Sequence, residues 1–146
     1  FARGEGMWYG NGEVYFACTN GGAIEKGQIF RYLPSPYEGT PRENDAPGRL
    51  ELFVESSDQD ILKNCDNLTV SPWGDVFICE DAEPPCKLAG VTPDGAFFEF
   101  GSNPYNDSEL AGVCFSPGGE TLFVNIQKPG LTLAITGPWK HSLRDA

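Results

Sequence analysis

Carboxylate side chains stand at equivalent places in three similar stretches of the sequence, and they are the residues best suited to chemistry. Glu5, Asp66 and Glu109 each come at or just before a short apolar run. In the middle stretch Glu80 and Asp81 follow the next apolar run, so a hairpin would bring them close to Asp66. Carboxylates at such density repel one another unless protons or cations intervene. The pattern therefore predicts an acidic, cation-binding site.

Each of the three stretches is predicted to fold as a β-hairpin. In the middle one, β-branched and aromatic residues favour strands over 68–70 and 76–79, and Pro and Gly supply the turn between them. The turn glycines Gly12, Gly74 and Gly119 recur at steps of 62 and 45 residues. The shorter step is the length of a propeller blade, and the longer step fits one blade with an insertion.

Further strands extend the hairpins into repeats of up to four strands. They are predicted at 28–33 and 49–55, at 87–92 and 96–100, and at 131–136. The Pro- and Gly-rich residues 34–48 form the insertion loop, and a short helical turn is predicted at 60–63.

The fold class expected is all-β, a single partial β-propeller domain over 1–146 with blades at approximately 5–55, 64–100 and 109–136. The last blade lacks its outer strand, which leaves an exposed edge. Three blades cannot close a ring, so we expect either a longer protein or self-association, with two copies supplying six blades.

Charge and composition narrow the function classes. The formal net charge of −11 argues against nucleic acid or an anionic membrane as a partner, because both require a basic surface. No apolar run approaches the length that spans a bilayer, and no signal peptide is recognisable. The single histidine, His141, argues against an imidazole-bound zinc or copper site.

The five cysteines do not define a metal or redox motif, because no C-x-x-C spacing occurs. Cys18, Cys79 and Cys114 fall in predicted strands and are expected to be small buried hydrophobes. Cys65 and Cys86 flank the central hairpin in predicted loops, where a disulfide between them is an alternative to free thiols.

The order of motifs along the chain resembles the C-terminal part of the PhoX-type alkaline phosphatases. The motifs are R-G-E-G, V-Y-F-A-C-T-N-G-G, G-Q-I-F-R-Y, D-N-L-T-V-S-P-W-G-D-V-F-I-C-E-D, L-A-G-V-T-P-D-G, E-L-A-G-V-C-F-S-P-G-G-E-T-L-F-V-N-I-Q-x-P-G and T-G-P-W. The resemblance covers nearly the whole chain. It implies a periplasmic or secreted six-bladed propeller phosphomonoesterase, exported by the twin-arginine route, with iron and calcium ions around a bridging oxo group at the propeller axis.

The resemblance also assigns roles to particular residues. It implies that Glu5 and Glu80 match metal-binding glutamates, and Asp66 and Glu109 lie in similarly acidic motifs. Arg3, two residues before Glu5, is the first candidate to meet a substrate phosphate. Lys87 and Lys128 are further basic candidates near predicted strand ends.

The chain matches only the later blades of the family. The earlier part, with an iron-bridging cysteine and other calcium ligands, has no counterpart, and none of the five cysteines takes that role. The expected function is therefore a metal-dependent phosphomonoesterase or a fragment of one. The alternatives are a non-catalytic calcium-binding or self-assembling propeller fragment and a calcium-dependent lactonase-like propeller.

Overall fold

The protein, described here from a computed structural model over residues 1–57 and 62–139, is built of antiparallel β-sheets. Residues 60–61 of the turn predicted at 60–63 lie outside these residues, as does His141. Three sheets of four, four and three strands follow one another along the chain, and none closes into a barrel. The strands are β1 (Gly4–Gly10), β2 (Glu13–Cys18), β3 (Gln28–Leu33), β4 (Arg49–Glu55), β5 (Cys65–Val70), β6 (Val76–Glu80), β7 (Lys87–Val91), β8 (Phe97–Ser102), β9 (Leu110–Phe115), β10 (Thr121–Ile126) and β11 (Leu131–Thr136). The predicted all-β fold class is confirmed.

Tight turns join the first two strands of each sheet. Gly12, Gly74 and Gly119 have φ values of +81°, +101° and +77°, in the left-handed region that favours glycine. The predicted insertion loop between β3 and β4 contains only the short 3-10 turn Glu43–Asp45. Within each sheet every strand pairs with its neighbour in sequence, as repeated up-and-down blades require.

Two apolar cores hold the three sheets side by side. Side chains alternate along β6, so Ile78 enters the core against the first sheet, whereas Phe77 enters the core against the third. All five residues of β6 are consequently buried. Phe77 makes edge contacts with the rings of Phe98, Phe100 and Phe115. The second sheet is thus fixed between its neighbours on both faces.

The first strands of the three sheets lie next to one another. Gly6 permits the approach of β1 to β5, because a Cβ there would lie 2.5 Å from the carbonyl oxygen of Asp66 and 2.8 Å from Cα of Asn67. Asn67 Oδ1 accepts a hydrogen bond of 2.8 Å from the backbone N–H of Val113, which ties β5 to β9. The N-terminal ends of three strands are thereby brought to one region of the surface.

The cysteines are free thiols, so the alternative of a Cys65–Cys86 disulfide is not realised. Cys65 also lies within β5 and not in the predicted loop, because the strand continues past its polar residues and Cys65 pairs with Glu80. Burial raises the pKa of the Cys65 and Cys79 thiols to about 12, which keeps both protonated.

Apolar side chains remain uncovered at both ends of the row of sheets. Met7, Tyr9, Leu50 and Leu52 are exposed on the first sheet, and β11 is exposed along most of its length. In the part of the chain that the structure describes, no helix is long and apolar enough to cross a membrane.

Candidate metal and phosphate site

Four carboxylates and one arginine gather where the first strands of the sheets begin. Glu5 is the second residue of β1, Asp66 is the second residue of β5, and Glu109 immediately precedes β9. Asp81 joins them from the end of β6, which the hairpin returns to the start of β5. Arg3 lies just before β1. We call these five residues the acid cluster, and it contains three of the four acids that the sequence predicted as metal ligands.

The carboxylates of the acid cluster form two pairs that interact electrostatically. Asp66 lies near enough to Glu5, and Glu109 near enough to Asp81, for the charge of one carboxylate to raise the pKa of the other. Burial raises the pKa of Asp66, and the charges of Glu5 and Asp81 raise it further. Burial and then the contact with Asp81 likewise raise the pKa of Glu109. Neighbouring carboxylates of this kind favour a proton or a cation between them.

Arg3 connects the two carboxyl pairs. Its Nε donates to Glu5 at 3.3 Å, and its Nη2 donates to Asp81 at 2.8 Å. The Arg3 backbone has φ +53°, and its carbonyl accepts a hydrogen bond of 2.9 Å from the N–H of Thr19. The hydrogen bond with Asp81 raises the pKa of Arg3. Guanidinium carries five N–H donors, so Arg3 retains donors for an anion beyond the two that it uses here.

Glu80 lies apart from the acid cluster. Its side chain is 1% exposed, and its two carboxylate oxygens accept hydrogen bonds of 2.8 and 3.1 Å from the backbone N–H groups of Lys63 and Lys87. Burial raises the pKa of Glu80, and these two hydrogen bonds oppose that rise. The carboxylate therefore joins the segment before β5 to the start of β7. The assignment of Glu80 as a metal ligand stays a prediction.

Strand alternation accounts for the difference between Glu80 and Asp81. Glu80 ends β6 two residues after Ile78, whereas Asp81 is the first residue beyond the strand. The sequence analysis recognised both acids, but it assigned a metal-binding role to Glu80 and none to Asp81. Counting the side-chain period from Ile78 would have placed Glu80 on a buried face.

The two remaining basic candidates, Lys87 and Lys128, lie in different surroundings. The Lys87 ammonium forms an ion pair of 3.0 Å with Glu99 on the neighbouring strand. Lys128 instead lines a cleft of about 450 Å³ beside the acid cluster. Gln127, also in this cleft, donates through Nε2 to the Glu109 carboxylate.

The acid cluster fits a hard cation by the chemistry of its donors. Its carboxylates supply only oxygen ligands, which suit calcium and ferric iron. Within residues 1–57 and 62–139, however, no three His, Cys, Asp or Glu side chains converge closely enough to hold a metal ion. The carboxylates stand as two pairs with Arg3 between them, so a complete coordination shell requires further donors or a rearrangement of Arg3.

Comparison with known families identifies the chain. A family model described as alkaline phosphatase PhoX matches residues 1–130 of the 146. The chain belongs to the PhoX alkaline phosphatase family. No curated protein matches it. Membership suggests alkaline phosphatase activity for this PhoX-family chain, and the family is one of metal-dependent phosphatases.

Proposed function

We propose that this PhoX-family chain is a metal-dependent phosphomonoesterase that acts on small phosphate monoesters, with its active site at the acid cluster. The observation that carries the proposal is the acid cluster, in which two carboxyl pairs and an arginine meet at the ends of adjacent strands. Neighbouring carboxylates that raise one another's pKa are unfavourable at alkaline pH without a cation. Glu5, Asp66 and Glu109 also stand at matching positions in the three repeats, as a shared cation-binding site would require.

The carboxylates have the role of cation ligands in this proposal. Glu5 with Asp66, and Asp81 with Glu109, would hold calcium and iron, and their negative charge would offset that of the ions. Bound cations would stabilise the charge of the transferring phosphoryl group and lower the pKa of a bound water.

Arg3 and Glu80 have different roles in this proposal. Arg3 directs its remaining N–H groups to the phosphate oxygens, for which a guanidinium fork is well suited. Glu80 has a structural role, because its two carboxylate oxygens accept hydrogen bonds that join the segment before β5 to the start of β7.

The test is hydrolysis of phenyl phosphate after incubation with calcium and ferrous iron in air. The proposal expects activity in the wild type and a loss of at least about tenfold in Arg3→Met and Asp66→Asn. Glu120→Gln removes an exposed acid outside the acid cluster and serves as the matched control. Equal activity in all four proteins would contradict the proposed roles, and no activity in the wild type would contradict a working site within this chain.

The second candidate is a non-catalytic calcium-binding or self-assembling propeller module. The uncovered apolar side chains of the first sheet favour it, because exposed patches of this kind mark association surfaces. In this reading two copies pair to complete a six-bladed ring. Light scattering coupled to size-exclusion chromatography would then give a molar mass of twice the chain mass of 15.9 kDa. The substitution Leu52→Glu would restore the monomer. Either reading keeps the periplasmic or secreted location that the family resemblance implies.

A further inference from the structure

We propose that the cleft beside the acid cluster binds the alcohol portion of the phosphate monoester, and that it selects hydroxylated alcohols such as glycerol or a sugar over aromatic ones. The inference rests on the proposed function and adds a substrate class to it. The cleft, with a volume of about 450 Å³, shares Asp81 and Glu109 with the acid cluster. A phosphate held at the acid cluster would therefore extend its ester group into this space, whose size is typical of small-molecule sites.

One wall of the cleft is built from two loops that hydrogen bonds hold together. Asn106 Nδ2 donates to the carbonyl oxygen of Lys128 at 2.7 Å, and the N–H of Lys128 donates to Ser108 Oγ at 2.9 Å. The N–H of Ser108 in turn donates to Asn106 Oδ1 at 3.0 Å. A wall fixed in this way loses little conformational entropy when a ligand binds.

The side chains that this wall offers are hydrogen-bonding groups. Neither the Lys128 ammonium nor the Asp107 carboxylate has an ion-pair or hydrogen-bond partner within the described parts of the chain. Lys128 brings three donors, Asp107 brings acceptors only, and the Ser108 hydroxyl can still donate. Hydroxyl groups both donate and accept, so a polyol can satisfy all three at once.

The lining also disfavours an aromatic alcohol. Ala82 is the one apolar side chain among the described residues that line the cleft, and no aromatic ring does so. A phenyl group there would displace water from Lys128 and Asp107 without replacing its hydrogen bonds, which is costly for charged groups. The cleft thus distinguishes the two kinds of alcohol by hydrogen bonding.

The test compares two esters in the wild type and in variants of the cleft. We would measure kcat/KM for glycerol 1-phosphate and phenyl phosphate with the wild type, Lys128→Met and the control Lys87→Met, whose ammonium pairs with Glu99. Lys128→Met should lower the value for glycerol 1-phosphate about tenfold, which corresponds to one hydrogen bond to a charged group, and change that for phenyl phosphate by less than about twofold. Asp107→Asn should act in the same direction.

A second measurement does not depend on catalysis. Free glycerol, titrated into isotope-labelled protein, should shift the amide signals of Asp107, Ser108 and Lys128 saturably in the wild type and in Lys87→Met, but not in Lys128→Met. If neither ester is hydrolysed while these shifts occur, the proposed function fails and the cleft assignment stands. An equal loss for both esters in Lys128→Met, or no saturable shift with glycerol, would overturn the inference.

Discussion

The Glu80 carboxylate offers the clearest separation between a structural and a metal-binding role. Both of its oxygens accept backbone N–H groups, from Lys63 at 2.8 Å and from Lys87 at 3.1 Å, and the side chain is buried. The substitution Glu80→Gln keeps the shape of the side chain and replaces one acceptor oxygen with an NH₂ group. That NH₂ faces an N–H donor, so one hydrogen bond is lost and two donors oppose each other.

The size of the effect follows from these contacts. A hydrogen bond to a charged group contributes about 1.5–3 kcal/mol, and a buried donor left without an acceptor costs about 1–3 kcal/mol. Relief from burying a charge offsets part of this loss, since burial raises the pKa of Glu80. We expect Glu80→Gln to lower the free energy of unfolding by about 2 kcal/mol, which corresponds to a fall in Tm of about 6 °C for a domain of this size.

The assay is thermal and urea unfolding in buffer with a chelator, followed by calcium titration calorimetry. Glu99→Gln is the control, because Glu99 forms a half-exposed ion pair with Lys87, and such pairs contribute about 0–1 kcal/mol. The structural role predicts a lower Tm for Glu80→Gln with calcium affinity unchanged. An unchanged Tm with lost calcium binding would refute this reasoning and support the metal-ligand role that the sequence motif implied.

Two other perturbations test the acid cluster and its positioning. Folding raises the pKa values of Asp66 and Glu109 above 3.8 and 4.5, so their contribution to stability is present at acid pH and is lost as pH rises toward neutral. The metal-free wild type should therefore lose stability relative to Asp66→Asn over that range. Parallel pH curves of the unfolding free energy for the two proteins would contradict the raised pKa values. Gly6→Ala should lower Tm and calcium affinity together, because the added Cβ would force β1 away from the backbone of β5. The control Gly4→Ala meets no atom within 4 Å and should leave both quantities unchanged. Equal effects of the two substitutions in melting curves and calorimetry would show that the approach of the strands does not position Glu5 against Asp66.

Local patterns were sufficient to predict the strands and turns. The turn glycines repeat with the hairpins, and β3, β4 and β11 have the predicted bounds because alternation and flanking turn residues mark both ends. The start of β5 was missed by three residues. Its polar residues continue the strand because a neighbouring sheet lies on each side of it, and hydrophobicity then no longer marks the end of the strand.

The candidate site was predictable only in outline. The repeat placed Glu5, Asp66 and Glu109 at equivalent strand starts, and the structure gathers all three. The ion pair of Arg3 with Asp81, and the hydrogen bonds that join the two loops around Lys128, depend on contacts between residues far apart in sequence. Such contacts follow from the packing of whole sheets and leave no local signature in the sequence.

Elemental analysis of protein purified without chelators tests the central claim most directly, with calcium and iron counted per chain. The account predicts bound calcium or iron in the wild type and in Glu120→Gln, and a marked loss in Asp66→Asn and Glu109→Gln. The absence of both metals from the wild type, or equal metal content in all four proteins, would contradict the claim that the acid cluster holds cations.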